Sequence, residues 1–316
     1  MRFAVVGAGL AGLAAARELV ADGHEVVVVE KSRGLGGRLA ARRAEGTVLD
    51  HGSPVISAPP DTALRRLIDA LPADDRVDLD DGIAFATGAT RMPKLMAEGL
   101  DVLLGVRLAA LRPSGGGFEL GDEQGNTHGR VDGVVVTAPA PQAADLLERS
   151  PEGGERVALL RGLAYEPAVM ILLGALTPEV PWAVARPVEG RLAEVRREAV
   201  KGRGAGGVEP VVARLDPGAS AELLDASDEA VLAVALPALH AVLGAPVAWS
   251  QVKRWRFAVP VGRIDADEVN PAGSRIVVAG DSVTGASFGR ADHHAVFDSG
   301  VAAARHLTSA FSGAVR

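Results

Sequence analysis

The 316-residue chain contains no cysteine and a single tyrosine, Tyr165. Without cysteine it can form no disulfide, thiolate nucleophile, cysteine zinc site or cysteine-tethered cofactor. No apolar run reaches the roughly 18 residues that a membrane span requires, and the N-terminus lacks the pattern of a signal peptide. A net charge of −7 gives no reason to expect nucleic acid or an anionic membrane as a partner. We therefore expect a globular, cytoplasmic protein.

The N-terminal segment has the pattern of a β-α-β unit. The run FAVVG (3–7) is β-branched and ends in glycine, which is typical of a buried parallel strand. The following LAGLAAARELVADG (10–23) is rich in strong helix formers and ends in a glycine that suits a C-terminal cap. The apolar run HEVVVVE (24–30) predicts a second strand.

Between the first strand and the helix the glycines follow the spacing G-x-G-x-x-G. In that motif Gly7 permits a tight turn, Gly9 lets a pyrophosphate approach the main-chain amides, and Gly12 lets the helix pack close to the strand. The same spacing recurs at 202–207, but charged residues precede it and VEPVVARL follows it. We predict a loop between strands at that second position and a dinucleotide site at the first.

The start of the helix and the end of the second strand complete the dinucleotide pattern. The helix N-terminus, opened by Leu10 and Ala11, offers free N–H groups and a partial positive charge to an anion. Glu30 closes the second strand, where a carboxylate accepts the hydroxyls of a ribose and disfavours a 2′-phosphate. The pattern therefore argues against NADP at this site.

The segment SRGLGGR (32–38) directly follows Glu30. Gly36 and Gly37 would let main-chain amides run beside a cofactor, and Arg38 would place a planar, permanently charged donor near its pyrophosphate or flavin. A nicotinamide dehydrogenase has no need of this segment. The arrangement resembles the flavin-dependent amine oxidase and desaturase superfamily, and it implies a non-covalently bound FAD.

The same resemblance implies further contacts with FAD. Lys31 stands beside the ribose-binding acid, and the main chain near Val106 would contact the adenine. Gly280 and Asp281 follow a strand, and Asp281 would accept hydrogen bonds from the ribityl hydroxyls. A closing helix at 292–311 would direct its positive N-terminal end at the flavin.

The order of elements predicts an α/β protein with a Rossmann-like FAD-binding domain and a second, mostly antiparallel α+β substrate domain, as in the amine-oxidase-like fold. We predict the first domain from residues 1–60, 101–150 and 257–316, and the second from 61–100 and 151–256. A run of strands with one long helix indicates a separate antiparallel layer in the second domain. The predicted strands lie at 165–174, 191–199, 209–215 and 245–257, and the predicted helix at 227–244.

Over nearly its whole length the chain resembles the renalase-like flavoproteins. The matching segments are Glu30 to Arg38, DHG (50–52), YEPAVM (165–170), VRREAVKGR (195–203), Trp255-Arg256, Gly280-Asp281 and Ser299-Gly300. This resemblance implies oxidation of isomeric dihydro-NAD(P) species, with O₂ taking the electrons to give hydrogen peroxide.

Two departures from that family fall where the substrate should meet the flavin. Ser53, Pro54 and Val55 stand where the family carries glutamine and an aromatic residue, and the loop at 282–298 is longer than usual. The physiological substrate and the oligomeric state are therefore left open.

Candidates for the substrate pocket are few because aromatic residues are scarce. We name Tyr165 and Trp255, whose rings could contact a substrate ring or cation. Lys253 could correspond to the lysine that holds a water at flavin N5 in amine oxidases, although a surface lysine is the preferred interpretation. Asp50 and His51 invite a catalytic interpretation, but a structural role is favoured.

Other functional classes stay open. An FAD-dependent amine oxidase or desaturase is one alternative, and a flavin-binding protein without turnover is another. The run GASFG (285–289) matches the G-x-S-x-G elbow of serine hydrolases, with Ser287 as nucleophile, but the preceding strand ends too early for that motif. His293 and His294 are adjacent, so on a helix they point about 100° apart, and no metal site is predicted there.

Overall fold

The computed structural model describes residues 1–176, 178, 180–186, 188–204, 206–285 and 292–312. Its strands are β1 Arg2–Val6, β2 Glu25–Glu30, β3 Ala41–Ala44, β4 Thr47–Asp50, β5 Arg76–Leu79, β6 Gly82–Phe85, β7 Asp101–Leu104, β8 Leu108–Ser114, β9 Gly117–Asp122, β10 Thr127–Val131, β11 Gly133–Val136, β12 Tyr165–Leu176, β13 Val184–Ala185, β14 Leu192–Arg197, β15 Val208–Leu215, β16 Val247–Pro260 and β17 Ile276–Val278. Its helices are α1 Leu10–Ala21, α2 Ala63–Asp69, α3 Arg91–Ala97, α4 Ala140–Glu148, α5 Gly154–Gly162, α6 Pro217–Glu222, α7 Asp228–Leu243, α8 Ala266–Val269, α9 Asp281–Thr284 and α10 His293–Ser312. Two short 3-10 helices span Ala73–Asp75 and Glu198–Lys201.

A five-stranded parallel sheet carries the N-terminal β-α-β unit and confirms that prediction. Its strand order is β17-β11-β1-β2-β7, and every neighbouring pair runs parallel. Helices α1 and α10 pack together in the core on one face, and on the other face α4 and the sheet β10-β9-β8 share a second core with the strands. Because both faces are covered, β1, β2 and β11 can consist of almost unbroken apolar residues.

The second layer is the predicted antiparallel one, which is also confirmed. Its strand order is β13-β14-β15-β12-β16, with every neighbouring pair antiparallel. Val169, Ile171 and Leu173 of β12 are buried with residues of α7, whereas the alternate residues Met170 and Leu172 belong to a separate cluster with Leu49 and Trp255. The two-residue period of the strand thus directs one face to a helix layer and the other to the first domain.

The segment at 61–100 places apolar side chains in the core of the first layer, and its Asp81 also pairs with Arg196 of the second layer. Leu64 and Ile68 of α2, Phe85 at the end of β6, and Met92 of α3 are buried in the same core as the side chains of α1 and α10. Apolar side chains are stabilised where their area leaves water, and these leave it against the parallel sheet. We therefore propose that 61–100 forms part of the FAD-binding body, in place of the predicted assignment to the substrate domain.

A buried ionic network connects the two layers. Lys201 Nζ lies 2.9 Å from Asp50 Oδ2 and 2.7 Å from Glu198 Oε1, and all three side chains are fully buried. Arg203 pairs with both carboxylates and also donates to the carbonyl oxygen of Phe85 at 2.5 Å. Burial disfavours the charged form of Asp50, but the charges of Lys201 and Arg203 outweigh that effect and hold its pKa below the ordinary value. The described residues of the second glycine motif, 202–204 and 206–207, lie outside helices and strands, in agreement with the prediction, and Lys201 and Arg203 belong to this network.

No helix in the part of the chain that the structure describes is long and apolar enough to cross a membrane.

Removal of one charge from the network should destabilise the fold. We expect Lys201→Met to lower the free energy of unfolding by about 3–5 kcal/mol, because it leaves two buried carboxylates with a single cation. Urea denaturation followed by tryptophan fluorescence measures the change. The control Arg66→Gln removes an exposed cation and should change stability by no more than about 0.5 kcal/mol. A loss below about 1 kcal/mol in Lys201→Met would show that the network does not hold the layers together.

Candidate active site

A cavity of about 1320 Å³ opens at the carboxyl ends of β1 and β2. Its walls come from the β1–α1 turn, the segment at 30–43, the strand β16 and the turn at 280–281. In open α/β sheets this edge is where ligands bind. Single-ligand pockets typically measure about 300–1,000 Å³, so this cavity has room for a large cofactor together with a second molecule.

The β1–α1 turn has no room for side chains on its protein side. Gly7 has a φ of +106°, which only glycine adopts readily, and a Cβ on Gly12 would lie 1.9 Å from the carbonyl oxygen of Gly7. Gly9 is different, because the nearest atom to a Cβ built there is the Cα of Gly37 at 4.0 Å. Gly9 also lines the cavity and caps α1 with extended backbone and no side-chain hydrogen bond. A side chain at Gly9 would therefore enter the space that a ligand would take.

Glu30 is buried and both of its carboxylate oxygens are engaged. Oε2 accepts the main-chain N–H of Ala8 at 2.8 Å, and Oε1 accepts that of Ser32 at 2.8 Å. The acid thereby fixes the glycine turn, while its remaining lone pairs can still accept sugar hydroxyls. The neighbouring Lys31 donates to Gln142 at 2.6 Å, and burial lowers its pKa, as does the nearby Arg107 charge.

The segment after Glu30 folds back onto the first glycine turn. The Gly36 N–H donates to the carbonyl oxygen of Ala8 at 2.8 Å, and a Cβ on Gly36 would lie 2.5 Å from the carbonyl oxygen of Leu39. Gly37 packs against Gly9, with 3.4 Å between an added Cβ and the Cα of Gly9. Close packing against protein backbone therefore explains Gly36, and both glycines also line the cavity.

Arg38 and Asp281 meet although 243 residues separate them. Arg38 Nη1 lies 2.8 Å from Asp281 Oδ2 and also donates to the carbonyl oxygen of Ala258 at 3.2 Å. The Asp281 side chain is 2% exposed, so the ion pair compensates a charge that burial alone would disfavour. Gly280, with a φ of +101°, precedes it and donates its N–H to Ser299 Oγ at 3.0 Å. Arg38 and Asp281 both line the cavity, and their side chains form an ion pair with each other.

Val106, one of the predicted FAD residues, already uses its main-chain N–H in a hydrogen bond within the protein. The Val106 N–H donates to the carbonyl oxygen of Glu30 at 3.0 Å, so its side chain and carbonyl are what it can present to the cavity that it lines. Leu10 and Ala11 both line the cavity at the start of α1. A Cβ on Gly300 would lie 2.0 Å from the carbonyl oxygen of Ala11, so this glycine lets α10 lie against α1.

His51 lines the other end of the cavity, a place that the sequence did not predict for it. Its ring stacks on Trp255 with centroids 5.4 Å apart and planes 25° apart, and its carbonyl oxygen accepts Trp255 Nε1–H at 2.8 Å. Burial, with a further contribution from the charge of Lys253, lowers the pKa of His51 to about 4. The imidazole is therefore neutral near pH 7. The sequence offers His51 as a candidate beside Asp50, within the DHG segment at 50–52, but favours a structural role for it.

Not all of the predicted pocket residues line the cavity. Trp255 and Lys253 line the cavity, as does Phe257. Tyr165 does not belong to the lining; its hydroxyl accepts the N–H of Ala140 at 3.2 Å, and its ring meets Phe257 edge-on at 5.6 Å. Burial and the Asp281 charge raise the pKa of Tyr165. The geometry therefore favours a structural role for this tyrosine in place of the predicted substrate contact.

The structure describes only part of the two segments that depart from the renalase-like family, 53–55 and 282–298. Ser53 is buried, lines the cavity and donates its N–H to the carbonyl oxygen of Arg38 at 2.7 Å. Residues 286–291 within the 282–298 loop, including Ser287 of the hydrolase alternative, lie outside the described residues. Among the residues that are described, no three histidine or acidic side chains are grouped to hold a metal ion.

The depressed pKa of His51 predicts acid-sensitive stability. Unfolded histidine binds a proton below its ordinary pKa of about 6.5, whereas folded His51 stays neutral down to about 4, so stability falls as the pH drops through that window. We expect His51→Gln to reduce the loss of unfolding free energy between pH 7 and pH 4 by about 3 kcal/mol. Urea denaturation at the two pH values measures it. Equal losses in both proteins would contradict the buried, neutral imidazole.

Comparison with known proteins places the chain in a family. The pattern of the NAD(P)-binding Rossmann-like domain matches residues 5–71, and that of the flavin containing amine oxidoreductases matches residues 78–308. A 4,4'-diapophytoene desaturase (4,4'-diaponeurosporene-forming) of Staphylococcus haemolyticus (strain JCSC1435) is 44% identical over 59 residues, which are 19% of this chain and 12% of the relative. The chain thus matches about an eighth of that relative's length.

Solved structures share the fold at low identity. Wild-type putrescine oxidase bound to putrescine superimposes with a TM-score of 0.71 and 15% identity, covering 98% of this chain and 99% of that chain. A protein from Exiguobacterium sp. 255-15, described as a candidate protoporphyrinogen oxidase, gives a TM-score of 0.69 at 15% identity, covering 99% and 98%. These likenesses establish an α/β fold with a Rossmann-like domain and an amine-oxidase-type second domain. With the family match over more than half of its length, the chain belongs to the flavin containing amine oxidoreductases.

Proposed function

We propose that the protein oxidises a dihydronicotinamide dinucleotide of the isomeric dihydro-NAD(P) type by hydride transfer to FAD, with O₂ then giving hydrogen peroxide. The observation that carries the proposal is a single cavity lined at one end by the dinucleotide turn and at the other by His51 and Trp255. Its volume of about 1320 Å³ is above the range of about 300–1,000 Å³ typical of pockets for drug-sized ligands, which suits an extended cofactor. In our proposal the cofactor and the dinucleotide substrate meet in it.

The residues present fit FAD. In our proposal the main chain at Gly7 and Gly9 and the start of α1 holds the diphosphate, because a side chain at Gly9 would fill that space, and Gly12 contributes by letting α1 pack against the turn. Glu30 accepts the ribose hydroxyls with the lone pairs that Ala8 and Ser32 leave. The remaining residues of the proposed set are Leu10, Ala11, Lys31, Gly36, Gly37, Arg38, Val106, Gly280 and Asp281. When bound, FAD supplies the hydride acceptor and the route of electrons to O₂.

The chain's own part in such a reaction is positioning. A hydride donor needs a reactive carbon held close to the acceptor and no general base. Trp255 and Phe257, two residues apart on β16, offer aromatic faces to a nicotinamide ring, and the carbonyl of His51 fixes the indole of Trp255. The neutral imidazole of His51 adds no charge that would repel a cationic product ring.

An amine oxidase or a desaturase is the second candidate. Structural likeness to putrescine oxidase and the N-terminal match to a desaturase support it. Against an amine substrate stands the single tyrosine of the chain, which lies outside the cavity lining, so a paired-tyrosine cage cannot form. A flavin-binding protein without turnover is the outcome that a negative test would favour.

Stopped-flow reduction tests the proposed chemistry. We expect anaerobic mixing of the FAD-loaded protein with isomeric dihydro-NAD, prepared by borohydride reduction of NAD⁺, to bleach the flavin absorbance. Subsequent exposure to air should release one hydrogen peroxide per flavin. Bleaching by putrescine and not by any dihydronicotinamide would favour the amine oxidase, and no bleaching by any donor would favour the non-catalytic protein.

Gly9→Ala tests the placement of FAD. A Cβ there meets no protein atom closer than 4.0 Å, so the fold should persist, but the methyl group would occupy the place of the diphosphate. We expect FAD affinity to fall at least tenfold, as measured by flavin fluorescence on titration of the apoprotein. Gly162→Ala adds a methyl group that meets no protein atom within 4 Å, outside the cavity lining, and should bind FAD normally. Equal FAD affinity in the two variants would show that the diphosphate does not bind beside Gly9.

A further inference from the structure

Two cations flank His51 in the wall of the cavity. Arg42 on β3 and Lys253 on β16 both line the cavity, and the charges of both act on the imidazole of His51. The residues that the structure describes provide no ion-pair partner for either. Arg43, next to Arg42, also lines the cavity and has none among those residues. Positive charge is therefore concentrated here in a chain whose net charge is −7.

The neighbours of Lys253 show that this is not a general property of β16. Arg254 pairs with Asp228 at 2.6 Å, and Arg256 pairs with Asp225. The two-residue period of a strand places Lys253 on the same side as Trp255 and away from those acids. The strand thus neutralises two of its cations on one side and leaves the third beside the stacked rings of His51 and Trp255.

His51, between these cations and Trp255, is only 6% exposed and lines the cavity. Since the ring is neutral near pH 7, it cancels none of the surrounding positive charge.

We infer that the substrate of this cavity is an anion, a diphosphate-bearing molecule whose charge is bound by Arg42 and Lys253 beside His51. The inference deepens the proposed function and rests on it for the identity of the reacting group, but the anion site can be tested without turnover. Arg42, which is exposed, and Lys253, which is half-buried, repel a dication such as putrescine and attract a dinucleotide. Arginine and lysine are both suited to hold phosphate oxygens by charge-assisted hydrogen bonds.

A matched pair of hydride donors distinguishes binding of the diphosphate charge from reduction of the flavin by the dihydropyridine ring. Borohydride reduction of NAD⁺ and of 1-benzylnicotinamide gives the same dihydropyridine ring with and without the diphosphate. With the FAD-loaded protein, we expect Arg42→Gln and Lys253→Met each to raise KM for the dinucleotide about tenfold or more. The KM of the neutral donor should rise by a smaller factor than that of the dinucleotide, so that the ratio of the two KM values changes in both variants. Lys253→Arg keeps the charge and should retain most of the affinity, and Arg66→Gln, which removes an exposed cation outside the cavity lining, should match the wild type.

Binding without turnover gives the second measurement. We expect ADP-ribose, which carries the diphosphate and no reducible ring, to bind the FAD-loaded wild type and to bind about tenfold more weakly in either variant, as measured by calorimetry. Flavin reduction by the neutral donor with unchanged dinucleotide KM in both variants would overturn the anion site and leave the proposed function standing. Absence of reduction by every donor, together with ADP-ribose binding that weakens in the variants, would overturn the function and support the anion site.

Discussion

Close approach of bare main chain around the β1–α1 turn is the constraint on which the structure depends. Gly12 has no room for a side chain beside the Gly7 carbonyl, and Gly36 bonds to the carbonyl of Ala8 from the other side. Gly300, almost at the end of the described chain, lets α10 lie against α1. Segments far apart in sequence thus converge on one turn. That packing leaves the opposite side of the turn, at Gly9, as main chain facing the cavity.

The charge of the cavity wall differs from the net charge of the whole chain. Of the acids in the wall, Glu30 is satisfied by main-chain N–H groups and Asp281 by Arg38, so these two are already compensated. Arg42 and Lys253 are not paired within the described residues, and they give the other end of the cavity its positive character. The net charge of −7 belongs to the whole chain and does not describe the charge of this part of the wall.

The second layer contributes to the site through one face of its sheet. Met170 and Leu172 of β12 pack with Leu49, next to the buried network of Asp50 and Lys201. This contact fixes the end of β4, from which His51 follows, against β16 and its tryptophan. The position of the stacked rings is thus set by packing and ion pairing between layers, and no single layer would hold it.

The sequence by itself determined the β-α-β opening, the glycine turn with Glu30, and the antiparallel character of the second layer. These features depend on the period of strands and helices and on glycine spacing within about 30 residues, which a linear pattern retains. Helices α4 and α5 were not predicted, although Ala140, Ala143, Ala144 and Leu147 of α4 follow the helical period; only α5 lacks a clear apolar stripe. Only the tertiary structure decided that Arg38 meets Asp281, that His51 lines the cavity, and that Tyr165 does not. Contacts between residues one or two hundred positions apart arise from how layers pack, and that packing leaves no periodic trace in the chain.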